Sequence, residues 1–183
     1  MKALLIKYKS VIRFVILFLG TYLLLSVIYS FYLSASVGGN YYPDFVTNLV
    51  AKQSSNLING FGYQAEVIPH DSETSMKLII NQVFLARIVE GCNAISIIIL
   101  FIAFIISFAE KVKKTMLFLF VGATLIYAIN IIRIAILSIA LYKYPEYTEI
   151  LHGVVFPAII YGMVFLLWMI WVRMLPKTDL KDE

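Results

Sequence analysis

A chain with one cysteine among 183 residues can use that thiol in few ways. Cys92 alone cannot form an internal disulfide, a CxxC redox pair or a thiolate-rich zinc site, so paired-thiol redox chemistry is excluded. Nothing in the sequence calls for a metal or a cofactor. As a thiolate, a cysteine is a nucleophile that needs a base for its proton and donors for the oxyanion of an attacked carbonyl. Histidine is the side chain whose charge changes near neutrality, and His152 stands at the start of an apolar stretch. The other histidine, His70, lies in the polar run His70, Asp71, Ser72, Glu73 and carries no role in this reading. Arginine keeps its charge in poorly hydrated places, and Arg133 sits within an apolar run that continues over residues 134–141. Tyr127, Asn130 and Arg133 are spaced i, i+3, i+6 and so share one helical face.

The elements that must position these residues follow from composition. Hydrophobic residues make up 61% and charged residues 14%, against about half and about a quarter in ordinary globular domains. The chain reads as an all-α polytopic membrane protein. A net charge of +4 raises nucleic acid as a partner, but the basic residues are scattered near apolar segment ends, and no nucleic-acid partner is expected. Four stretches, at about 11–33, 92–109, 115–141 and 152–171, are long enough to cross a hydrocarbon layer of about 30 Å. They predict a four-transmembrane-helix bundle within a single membrane domain covering 1–183. Ser34, Ala35 and Ser36 resemble a signal-peptide cleavage site, but the preceding apolar run exceeds the roughly 7–15 residues of a signal core, which favours an uncleaved anchor.

Lys2, Lys7, Lys9 and Arg13 precede the first span, Lys111, Lys113 and Lys114 join the second to the third, and Arg173, Lys177 and Lys181 follow the fourth. Positive short loops stay cytoplasmic, so both termini are expected in the cytoplasm of a bacterial inner-membrane, multi-pass protein. Segment 34–91 is then an extracytoplasmic insertion between the first two spans. In it, Pro43 and Asp44 suit a first helical turn, and a broken apolar stripe from Phe45 to Ile58 predicts a helix stopping at Gly60. Tyr63–Ile68 and Met76–Ile80 predict a β-hairpin.

This topology brings Cys92, at the outer N-terminus of the second span, to the same side as Arg133 and His152. With the third helix begun at Thr115, Arg133 lies roughly 27 Å along it, near the outer edge of the hydrocarbon. Free N–H groups and the helix dipole would favour thiolate at Cys92. Each residue alone has a plainer account: a lone cysteine is commonly a small buried hydrophobe, a terminal arginine snorkels, and a histidine at a span end decorates the interface. Their joint placement on three helices favours a site.

The run Arg87, Ile88, Val89, Glu90, Gly91, Cys92, Asn93, Ala94, Ile95 resembles the strand-then-cysteine segment of the exosortase and archaeosortase family. Asn130, Ile131, Ile132, Arg133 is similar to its Asn-x-x-Arg motif, and His152 follows at a similar interval. Asn93 and Ala94 stand where family members often have a small residue and a glycine. With fewer spans than full-length members, the chain is most similar to the compact F-type exosortases of the Bacteroidetes group. The resemblance implies a cysteine transpeptidase or protease that cleaves the C-terminal sorting tail of exported proteins at the periplasmic face, through a thioester. Its partners would be exported proteins ending in a short motif, a membrane helix and a basic tail, together with membrane lipid and a lipid or glycan acceptor. Cys92, Arg133 and His152 would be catalytic as nucleophile, oxyanion or substrate donor, and base; Asn130, Glu90 and Asn93 would support them.

Two other readings differ in class. A non-catalytic assembly or export-accessory subunit would use Asn130 and Arg133 to join helices and would need neither Cys92 nor His152. A transporter or channel fits poorly, because no span carries an intramembrane Asp or Glu and no inverted repeat is evident.

Overall fold

The computed structural model describes residues 8–39, 41–109 and 111–175; Lys2, Lys7, Lys177 and Lys181, counted above toward orientation, lie outside them. The protein is mostly helical, and among the described residues three helices are long and apolar enough to cross a membrane: α1 (Lys9–Ser36), α4 (Val112–Lys143) and α5 (Pro145–Met174). The stretch expected as a further span, 92–109, contributes only α3 (Ile95–Ser107), 13 residues or roughly 20 Å of helix. It is shorter than expected because Glu90–Cys92 form a separate turn before it and Phe108 closes it.

No residue of α1 is buried, as suits a helix whose apolar surface faces lipid on most sides. It packs on α3, where the Phe14 ring lies 4.8 Å from that of Phe108. α3 runs antiparallel to α4: Asn130 meets Cys92 at one end, and Gly122 faces Phe101 further along. A Cβ at Gly122 would sit 2.3 Å from the Phe101 ring, so glycine there lets the two helices approach. Ala94, Phe101 and Ile105, Ile126, and Val164, Leu167 and Trp171 form the core between α3, α4 and α5.

Between α1 and α3 the chain builds α2 (Phe45–Gly60) and three strands, β1 (Ala65–Pro69), β2 (Met76–Ile80) and β3 (Val83–Ile88). Asp44 caps α2 from one residue before its first turn, its Oδ1 accepting from the backbone N–H of Val46 and Thr47. The strands form one antiparallel sheet in the order β1-β2-β3, so the expected hairpin is accompanied by a third strand. The connecting turn, Asn81–Gln82, has φ of 48° and 69°, the double left-handed geometry of a two-residue hairpin loop. Without the usual glycine, that turn left little signal in the sequence. Along β2, Met76, Leu78 and Ile80 are buried and alternate with less buried neighbours. They meet Val50, Ala51 and Ile58 of α2 and Ile134 and Ala135 of α4 in a second core.

α4 is therefore shared. At about 48 Å its 32 residues exceed a hydrocarbon thickness of about 30 Å. One part packs in the helix bundle, the part near its end carries the sheet, and Arg133 lies between Ile126 of the first core and Ile134 of the second.

Candidate active site

The turn that holds Cys92 is tightly specified. After β3, Val89 is extended, and the Cys92 N–H returns to the Val89 carbonyl at 2.8 Å. Ala94 then takes a left-handed φ of 64° before α3 begins at Ile95. That conformation costs a non-glycine residue roughly 1–2 kcal/mol, and its neighbour's side chain offsets it. The Asn93 Oδ1 accepts from the Ile95 N–H at 2.9 Å, capping α3. The Asn93 Nδ2 donates to the Tyr29 hydroxyl at 2.8 Å and to Thr47 Oγ1 at 3.1 Å, tying the turn to α1 and α2. Cys92 thus stands three residues ahead of α3. Its own N–H is spent on Val89, and the thiol is carried by the turn rather than by the first residue of the helix.

Asn130 and Arg133 come from the same face of α4, as their spacing requires. Asn130 is buried, 1% exposed, and its Nδ2 donates to the Cys92 carbonyl at 2.7 Å. Tyr127, one turn earlier, donates to Gln53 Oε1 on α2 at 2.7 Å. Arg133 is half-buried, and its Nε is sequestered without a hydrogen-bond acceptor.

His152 lies in α5, which begins at Pro145, seven residues earlier than the expected fourth span. The segment Leu151–Val155 is a π-helical turn, with the Phe156 N–H returning to the Leu151 carbonyl. Pro157 follows after one residue, Phe156, and lacks an N–H to bond the Gly153 carbonyl. The widened turn accommodates the proline. Turns of this kind recur at functional sites, and this one places His152, an exposed side chain, on a cavity wall.

Cys92, Arg133 and His152 all line that one cavity of about 730 Å³. Leu137 and Leu141 of α4 and Phe156 of α5 give it an apolar side, and Leu85, Ala86 and Arg87 of β3 form another. Glu73, paired with Arg87, lines it as well. The cavity therefore holds a thiol, an imidazole and a guanidinium against an apolar wall, a set able to perform acyl transfer.

The supporting residues divide. Asn130 and Asn93 hold the cysteine turn from two sides without lining the cavity. Glu90, expected to support the site, is exposed, lies outside the cavity lining and is in neither of the ion pairs among the described residues, Lys77 with Asp71 and Arg87 with Glu73. The Arg87–Glu73 pair and the Tyr29–Asn93–Thr47 network were not singled out from the sequence. The continuous apolar run over residues 83–86 leading into Arg87 is the available signal for the first; pairings across 46 and 64 residues leave none for the second.

Residues 6–174 match the model of one protein family, described as transmembrane exosortase. No curated protein and no solved structure matches the chain.

Proposed function

The chain belongs to the transmembrane exosortase family, and from that premise we propose that it is a cysteine transpeptidase that removes the C-terminal sorting tail of exported proteins. The observation that carries this reading is the single cavity shared by Cys92, Arg133 and His152. The Cys92 thiolate attacks the scissile carbonyl and forms a thioester with the exported protein. His152 takes the thiol proton and returns it to the leaving amine. Arg133 donates to the oxyanion; donors in this role typically contribute about 10² to 10³ in rate. Water, an amine or a lipid headgroup then resolves the thioester. Asn130 and Asn93 fix the cysteine turn.

The fit to a tethered substrate supports the same reading. A substrate held by its own membrane helix presents its cleavage point at a fixed height, and that proximity lowers the barrier. In this account α3 is a short crossing: the matched stretch of α4, from residue 113 to 130, rises roughly 26 Å, close to the hydrocarbon thickness. The Lys111–Lys114 end is then cytoplasmic, as are both termini, and the cavity opens to the periplasm of a bacterial inner membrane. Within the family, the proposal extends to the F-type exosortases of the Bacteroidetes group, which the chain resembles.

Replacing Cys92 by alanine tests the proposal. Exported proteins with a membrane-helix tail should accumulate at full length, with the variant inserted at the normal level. Normal tail removal by Cys92→Ala would leave the protein a non-catalytic membrane subunit.

A further inference from the structure

We infer that the open edge of β3 is the substrate platform: an extended peptide, the part of the exported protein just before the scissile bond, adds to it as a fourth strand. This rests on the transpeptidase reading above and specifies how its substrate is held. Among the described residues β3 pairs with β2 alone and ends the sheet, so its second edge has no strand partner there. Successive side chains on a regular strand point to opposite faces, yet Ala86 and Arg87, consecutive residues in regular register with β2, both line the Cys92 cavity. A hollow reached from both faces lies along the strand's edge, where backbone donors and acceptors are presented.

The edge leads to the nucleophile. β3 passes through Val89 into the turn holding Cys92, and Val89 lines the same cavity. At about 3.3 Å per residue, the stretch from Leu85 to Val89 offers roughly 13 Å, room for about four residues of extended chain. From the helices, the same cavity is lined by the apolar side chains of Leu137 and Leu141 and by His152. One wall thus offers backbone hydrogen bonds and the other takes apolar side chains, a division that suits a peptide strand. A lipid acyl chain would leave the strand edge unpaired.

The edge is also guarded. The irregularity between Leu78 and Ile79 leaves Leu85 as an extra residue in β3, and such bulges twist a strand edge away from neighbours. Arg87, paired with Glu73 and 52% exposed, sets charge at the same edge. Both features oppose edge-to-edge pairing with a second copy. The cavity side is left for a peptide delivered by its own membrane anchor.

The test places the photo-crosslinker p-benzoylphenylalanine at Arg87, and separately at Glu66 on the far strand β1, in the full chain carrying Cys92→Ala in cells. The Arg87 position should join to unprocessed tailed protein, within the stretch just before its cleavage point. Its yield should be at least about tenfold that at Glu66, because strand addition holds the peptide at β3 alone. A proline placed in turn at Leu85, Ala86 and Arg87 of the intact chain tests the backbone. Tail removal should fall at least about tenfold at a position where Cys92 still reacts with a membrane-impermeant maleimide, since proline deletes one edge donor. Where proline also abolishes alkylation, the crosslink decides. If tailed protein accumulates in Cys92→Ala without a preferential Arg87 crosslink, or every reactive proline variant processes normally, strand addition is overturned and the enzyme reading stands. If no tailed protein accumulates, both fall.

Discussion

Asn130 of α4 donates from Nδ2 to the backbone carbonyl of Cys92 at 2.7 Å, across 38 residues of sequence. The bond joins the helix that bears Arg133 to the turn that bears the thiol, so it sets the relation between the two. Asn130 is 1% exposed. Removing it takes the donor from a partly buried carbonyl, a loss of about 0.5–1.5 kcal/mol. Asn130→Ala should lower the unfolding midpoint in detergent and reduce tail removal, while Asn130→Gln should recover part of the stability with less of the activity. Full activity in Asn130→Ala, measured by the rate of tail loss, would remove its positioning role.

Ala94 supplies a second check on the same turn. Its φ of 64° is natural for glycine and costly for alanine. Glycine relieves that strain at the expense of one buried methyl, about 0.8 kcal/mol. Ala94→Gly should therefore be close to neutral in thermal unfolding and keep activity. Ala94→Val adds β-branching at a positive φ and should destabilise by more than about 1 kcal/mol. Equal midpoints for the two variants would mean that the turn is not held in this conformation.

Arg133 separates charge from geometry. Lysine preserves the charge but not the planar fork of donors. Arg133→Lys should express and insert normally, while the rate of tail removal falls by about an order of magnitude or more. Turnover near wild type would reassign Arg133 to anchoring α4 at the interface.

How far the sequence led depended on the range of the contacts. Membrane character and the shared face of Asn130 and Arg133 were legible, because hydropathy and helical spacing act locally. That Cys92, Arg133 and His152 share a cavity was expected only through topology, the charge pattern supplying the side of each. The detail was lost where structure departs from regular elements. Cys92 was read as the first residue of a helix, because three residues of turn with one left-handed alanine have no hydropathy signature. His152 was read as the start of a span, because the helical turns from Pro145 to Ile150 are more polar than the run that follows. β3 escaped because Asn81–Gln82 lacks a glycine. Glu90 attracted a role by being an acid next to the site, whereas the carboxylate at the cavity belongs to Glu73, 17 residues earlier and across the sheet.

The account turns on a covalent bond at one sulfur. Cys92 peptides recovered from rapidly quenched cells, with free thiols alkylated first, should divide into an alkylated fraction and a fraction bearing an acyl peptide from an exported protein. Hydroxylamine should release the acyl group, and His152→Ala should diminish the fraction. A uniformly alkylated Cys92, in cells where tails are being removed at the normal rate and the acyl form is stable to quenching, would contradict the central claim.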